Sequence, residues 1–469
     1  MNTPEVIENI NVSEDRKLTF REKLACVVGL TPSTFHYQMM QTFLLFFYVD
    51  VMKISPAFVA GMFLVIRILD AILAPVLGAF MDRITTPWGK YRPWFIFLGV
   101  PFAITGWLTF TDFNLSHTGS LVYAVVTYMI YSVIGAVIGV PGGAITPAIT
   151  KRVDDRVSLG QIGFLFTIIG ALFVSIAAVP LYKILGGGDD AKGFSLLMAG
   201  AAVITIIVSL FQGLTLKERY IVERKIDEKA PSFKQMFVAS FTNKTAVIAY
   251  LYLFGTVVSN GIRAAISLHF FKYFFQNEGL LAIMGIIGIL PTLLGVAISG
   301  KLIKRFGIKA SVMVSVIVSL VTVPILLFIP ANSIGLGIFI ATSVIGAFFA
   351  GIATPAQGSM MPAAIDYTEW KTGLNLNGFM TSLSGFVQTF GTALSGSIAA
   401  GSLALIGYVP GAEQSSSTLF GIKMIMILLP AIFTAFTISI LWFDLTEEKQ
   451  AQIAKELAER RNNAEIKTA

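Results

Sequence analysis

The sequence predicts an all-α membrane protein with twelve transmembrane helices in two six-helix bundles. Three observations lead there: a strongly apolar composition, basic residues concentrated in alternate loops, and an internal repeat six spans apart. Of 469 residues, 55% are hydrophobic and 13% are charged, with a mean hydropathy of +0.77. Soluble domains carry about 25% charged residues, so lipid is the expected solvent for this surplus of apolar surface. The single Cys26 excludes an internal disulfide, and no Cys/His cluster offers a metal site. No cofactor is expected. Residues 1–23 are polar and lack the apolar run of a cleavable leader.

A span needs about 20 mostly apolar residues. Such runs fall at 24–49, 56–81, 93–112, 119–149, 157–184, 194–215, 245–275, 279–301, 310–330, 333–363, 378–406 and 418–443. The expected organisation is an N-terminal segment 1–23, a first bundle 24–216, a middle loop 217–244, a second bundle 245–444 and a charged tail 445–469. The longer runs have room to tilt, or to bend at Pro141 or Pro355. Lys17, Arg21 and Lys23 precede the first span, and Arg83, Lys90 and Arg92 follow the second. Lys151, Arg152 and Arg156 follow the fourth, while Lys217, Arg219, Arg224, Lys225, Lys229 and Lys234 crowd the middle loop. The intervening loops hold few basic residues, which predicts cytoplasmic termini in a cell membrane. The net charge of +7 is then a topology signal, and nucleic acid is not expected as a partner.

Ser132-Val-Ile-Gly-Ala136 in span four recurs as Ser343-Val-Ile-Gly-Ala347 in span ten. Gly78-x-x-x-Asp82-Arg83 after span two is echoed by Gly300-x-x-x-Lys304-Arg305 after span eight. Two matches at corresponding spans point to a duplicated six-span unit, the plan of the major facilitator superfamily.

The turn after span two, Gly78-Ala-Phe-Met-Asp82-Arg83-Ile-Thr-Thr-Pro-Trp88-Gly89-Lys90-Tyr-Arg92, resembles that superfamily's cytoplasmic loop. Its form is that of the glycoside–pentoside–hexuronide:cation symporters, typified by melibiose permease. Phe43-Leu-Leu-Phe-Phe-Tyr-Val-Asp50, Arg67-Ile-Leu-Asp70-Ala, Asp366-Tyr-Thr-Glu369-Trp-Lys371-Thr-Gly373 and Ile406-Gly-Tyr-Val-Pro410 extend the likeness nearly end to end. The resemblance implies a secondary transporter and symport of a sugar-like solute. It also implies a conformational latch at Gly78, Asp82, Arg83, Gly89, Lys90 and Arg92, whose charges could pair across the seam between bundles. Interfacial snorkelling is the plainer reading of those charges.

The family's sodium site draws on carboxylates in spans one, two and four. Here those positions hold Thr34, Asp70 followed by Ala74, and Gly139, while a lysine common in span eleven falls near Phe390. One carboxylate is a poor cage for a hard cation. Proton coupling is therefore expected over sodium, with Asp70, His36 and Thr34 as the coupling candidates.

Intramembrane ionisable groups are functional candidates by default. Arg67 lies three residues before Asp70 on one helical face, so a purely structural pair is the alternative. Arg263, about 27 Å of helix beyond Thr245, needs an anionic partner from the protein or from the solute. Asn260, Tyr37, Gln41, Tyr128, Tyr131, Gln161, Gln357, Asn377 and Gln388 are candidate cavity residues, with Asn375 at a loop edge; any of them could instead join helices.

The expected function is proton-coupled symport of a sugar, glycoside or sugar acid by alternating access, performed by a monomer. An uncoupled facilitator or exchanger for an anionic or amphipathic non-sugar solute is the alternative. A non-transporting sensor on the same scaffold is a further one. No catalytic constellation or nucleotide loop suggests an enzyme or an ATP-driven pump.

Overall fold

The computed structural model describes residues 17–83, 86–150, 152–220, 232–374 and 376–468. A short helix α1 (Phe20–Val27) leads into α2 (Leu30–Phe46), α3 (Pro56–Arg83), α4 (Arg92–Thr109), α5 (His117–Ile149), α6 (Val153–Gly186) and α7 (Asp190–Thr215). After α8 (Phe233–Thr242) come α9 (Lys244–His269), α10 (Leu280–Leu327), α11 (Ser333–Thr372), α12 (Asn377–Leu405), α13 (Ser416–Thr434) and α14 (Glu447–Thr468).

Local chemistry sets many of the ends. Side chains of Thr19, Ser116, Asp189, Ser232, Asn243, Asn332 and Ser415 accept from the exposed N–H groups of the helices they precede. Gly187 and Gly373, at φ 59° and 70°, end α6 and α11 in the left-handed conformation. α10 is two spans joined at one residue: Gly307 at φ 87° and ψ 164° turns the chain where a loop was expected. α11 continues without a break past Pro355 and on to Thr372. The segment around Asp366–Lys371, expected as a connector, is therefore helical.

Among the described residues, seven helices are long and apolar enough to cross a membrane unaided. α10 contributes two spans; α2, α3, α4 and α12 complete the twelve. All four line the cavity described below. α2 packs on α6, α4 on α5 and α7, and α3 on α5 to form the first half. In the second half, α9 packs on α12 and α13, and α10 on α11 and α13. Contacts of α2 with α9, α3 with α12 and α6 with α10 join the halves.

α2 and α9 occupy corresponding places, and each ends in a π-helical turn, Phe47–Val51 and Phe270–Phe274. Repetition of so rare a feature agrees with the duplicated unit. Both turns lie at the membrane face away from α1, within an aromatic core that includes Phe43, Phe46, Phe47, Phe194, Phe270 and Phe271.

The charged tail is more than a surface extension. Ile453 and Leu457 are 3% and 4% exposed and pack with Ile308, Val312 and Met360. Trp370 Nε1 donates to Glu456 at 2.6 Å, and Arg460 donates to the Trp370 carbonyl at 2.9 Å. α14 thus docks on α10 and α11.

Candidate functional site: a cavity between the two halves

A cavity of about 870 Å³ lies between α2, α3, α4, α5 and α7 on one side and α12 on the other. It extends to Cys26, Phe95 and Ile145, towards the face that carries α1. Tyr37, Gln41, Arg67, Asp70 and Tyr131 are on its wall. So are Ser132, Ser382 and Thr389, which the residue-by-residue reading did not select for the site.

Asp70 is the one carboxylate on this wall among the described residues. It is 2% exposed. The helical spacing of α3 brings Arg67 Nη1 to 3.5 Å from its Oδ2. Ser132 Oγ donates to the same oxygen across the α3–α5 contact. Oδ1 is buried without a hydrogen-bond partner. The Arg67 guanidinium also stands 5.8 Å over the Tyr128 ring, so buried Tyr128 supports the pair from behind. Oδ1 is the oxygen open to a proton, and neutralising the group would loosen the Arg67 ion pair while Oδ2 still accepts from Ser132.

The other coupling candidates are elsewhere. His36 is fully buried behind the wall, with Nε2 3.2 Å from Thr205 Oγ1. Its ring packs beside the stacked pair Phe102 and Tyr131, at centroid distances of 5.0 and 6.2 Å. Thr34 packs against Gly170 of α6, not against Asp70: a Cβ at Gly170 would meet the Thr34 Cβ at 3.0 Å. Gly139 is on the wall with open space where a side chain would stand. Phe390 stacks on Phe386 at 5.9 Å.

Gln41 Nε2 donates to Tyr37 Oη at 3.4 Å, and Tyr131 stacks on Phe102 at 4.9 Å. Gln357 is engaged by α9, donating to Tyr252 Oη at 2.6 Å. Asn377 accepts from Thr381 at the first turn of α12. Gln161 and Gln388 are exposed on α6 and α12, off the cavity wall. Asn260 is exposed and Arg263 partly buried on α9. Asn375 lies outside the described residues.

The turn between α3 and α4 is clamped by a residue that the sequence reading passed over. Glu218, just beyond α7, accepts from the backbone N–H groups of Lys90, Tyr91 and Arg92 at 2.8, 2.8 and 2.7 Å. These N–H groups sit at the start of α4, where the helix supplies no acceptor of its own and a carboxylate is favoured. Gly89, at φ 117°, lets the carboxylate approach: a Cβ there would meet it at 2.5 Å. Arg92 reaches the carbonyls of Gly213 and Leu214. In this access state the Gly89 turn and Arg92 therefore bind within the first half. Gly78, Asp82 and Arg83 lie on the last turns of α3, and their side chains are outside the described residues.

The cavity's opposite end is shut by contacts between the halves. Asp50, at the π turn of α2, accepts from Tyr408 at 2.7 and 2.8 Å and also from Tyr273. His269 Nε2 lies 3.0 Å from its Oδ2. Asp50 and His269 are 5% and 0% exposed. Beside them, Glu278 accepts from Tyr182 at 2.7 Å and pairs with Lys183 and Lys272 at 3.1 and 3.5 Å. Burial pushes the Glu278 carboxyl up, but Tyr182, Lys272 and Lys183 outweigh it and hold the group below its ordinary value of 4.5. Asp50 and Tyr408 are visible in the sequence only as residues of the family likeness.

This geometry, a solute-sized cavity open at one face and sealed across two halves at the other, is that of a transporter caught in one access state. The family model described as MFS/sugar transport protein matches residues 26–446. The chain belongs to that family. It is a multi-pass membrane transporter and not an enzyme. It is 30% identical to the uncharacterized symporter YjmB of Bacillus subtilis, over 96% of this chain and 98% of that one. It is 29% identical to the isoprimeverose transporter of Lactiplantibacillus pentosus, over 89% and 87%. Among solved structures, the nucleoside transporter NupG superposes with a TM-score of 0.63 at 13% identity, covering 91% of this chain and 100% of that one. A D-xylose-proton symporter does so at 0.61 and 13% identity, covering 88% and 97%. At such identities the structures share the fold alone, the major facilitator arrangement of two six-helix bundles.

Proposed function

We propose that this chain is a proton-coupled symporter for a sugar-class solute: a sugar, a glycoside or a sugar acid. The Asp70 cluster is the observation that carries the coupling. A carboxylate on the cavity wall, with one oxygen free and the other shared by Arg67 and Ser132, has a protonated and an ionised state with different neighbours. Proton uptake would remove the counter-charge of Arg67 and free its guanidinium towards the solute, so that loading of one favours loading of the other. Tyr37, Gln41 and Tyr131 are the wall groups suited to sugar hydroxyls and ring faces. The names of the relatives, a symporter and an isoprimeverose transporter, support the solute class.

The loop charges put both termini and the cavity mouth on the cytoplasmic side of the cell membrane, which makes this state inward-open. The unit is a monomer of two bundles, 24–216 and 245–444, joined by 217–244. In the opposite state, Asp82 and Arg83 at the end of α3 would help hold the cytoplasmic side shut. Sodium is disfavoured because Thr34 and Gly139 add no carboxylate to Asp70.

Uptake into proteoliposomes of a panel of sugars, glycosides and sugar acids tests this reading. Accumulation is expected with an inward proton gradient and without sodium. Accumulation driven by sodium alone would overturn the choice of ion.

A further inference from the structure

Arg263 stands apart from the other cations that the membrane-spanning segments hold away from solvent. Arg67 has Asp70, Lys272 has Glu278, and Lys423 donates to the Ile329 carbonyl at 3.1 Å. Arg263 has no ion pair or hydrogen bond among the described residues, and its Nε is buried without a partner. A guanidinium held in a span at this cost persists where something compensates it.

Its surroundings indicate what that is. Tyr252, Thr256, Asn260 and Arg263 follow one another at four, four and three residues, so they share one face of α9. Tyr252 at the near end of this stripe bonds Gln357 of α11; Asn260, next to Arg263, is exposed. The stripe therefore looks across towards α11. α9 is also 61% buried over its span, against 22–44% for the other six strongly apolar helices. A helix enclosed to that degree has little lipid-facing surface, and a polar stripe that opens at Asn260 belongs on a wet, protein-lined face.

We infer that Arg263, with Asn260 beside it, forms an anion-binding subsite for the solute on α9, off the wall of the cavity described above. The solute it fits carries a carboxylate or a sulfonate, whose oxygens can take two parallel N–H bonds from the guanidinium. Arg263 thereby selects acidic over neutral members of the sugar class. This deepens the sugar-class reading and rests on it for the hydroxyl-bearing part of the solute.

The test compares purified wild type with Arg263→Gln and Arg263→Lys by ligand-induced thermal shift. The probes are D-glucose, D-glucuronate, 6-deoxy-6-sulfo-D-glucose, D-glycerate and 2,3-dihydroxypropane-1-sulfonate. In wild type, acidic probes are expected to bind and D-glucose to bind weakly. Arg263→Gln should weaken acidic binding about 10- to 100-fold, the usual loss for a hydrogen-bonded charge, while Arg263→Lys restores part of it. The ligand-free melting temperature of Arg263→Gln should equal or exceed that of wild type, because no protein anion loses its partner.

A clear drop in that temperature would reveal a protein partner and overturn the inference. So would acidic binding undiminished in Arg263→Gln, binding of the neutral probe alone, or no response of wild type to any probe. Binding of the two three-carbon acids but of neither acidic sugar, lost in Arg263→Gln, would uphold the anion site while ending the sugar-class reading. The carboxylate and sulfonate members of each pair show which oxyanion the site prefers.

Discussion

Asp70→Asn is expected to abolish accumulation of solute against a gradient while leaving exchange of solute across the membrane. Asparagine can still accept from Ser132, so the wall keeps its shape, but it cannot cycle between charged and neutral forms. Arg67 then loses its counter-charge permanently. Breaking a buried pair by removing one partner costs about 3–5 kcal/mol, so the single variant should also melt earlier. The double variant Asp70→Asn/Arg67→Gln separates the two roles. If the pair serves only to hold α3, neutralising both members restores stability and coupled accumulation together. If Asp70 carries the proton, the double variant regains stability and keeps exchange but never accumulates solute. Uptake and counterflow in the same vesicles measure both.

The second large effect is expected at the sealed end. Asp50→Ala leaves the Tyr408 and Tyr273 hydroxyls and His269 without the acceptor that joins them across the halves. Those contacts exist only while this end is shut, so their loss weighs against the inward-open state. A shift of about 3–5 kcal/mol is close to the 5.5 kcal/mol or so that inverts a 1:99 equilibrium. Spin labels at the exposed positions His117 and Ser333, in a Cys26→Ser background, should report a new, longer distance population. An unchanged distance distribution would mean that the aromatic core alone closes this end.

Acidity should act elsewhere. Glu278 is held below its ordinary value of 4.5, so its stabilising contribution is complete above that value and is lost only as pH falls through the lowered one. The rim of the seal is therefore intact around neutrality. A pH dependence of transport near neutrality points to the cavity groups instead.

The bundle plan was legible because hydropathy and loop charge are local properties that survive without any knowledge of packing. The Arg67–Asp70 pair was legible for the same reason, since a spacing of three places both on one face of α3. What the sequence concealed was contact between distant segments. Ser132 was noticed as part of a repeat, but its bond to Asp70 spans 62 positions. Glu218 sat among the basic residues of the middle loop, with no local sign that it closes over the start of α4. His36 has the right chemistry for a proton, yet its direction from α2 depends on how α4 and α7 pack. Asp50 lay at a span end, where a carboxylate is ordinary, and only the fold brings Tyr408 to it from 358 positions away.

Proton movement driven by solute tests the central claim most directly. Lightly buffered, sodium-free vesicles loaded with a pH dye would be given the transported member of the sugar panel with no gradient imposed. The account predicts acidification of the interior with wild type and none with Asp70→Asn. Solute entry through wild type at full rate with no change in interior pH would contradict it.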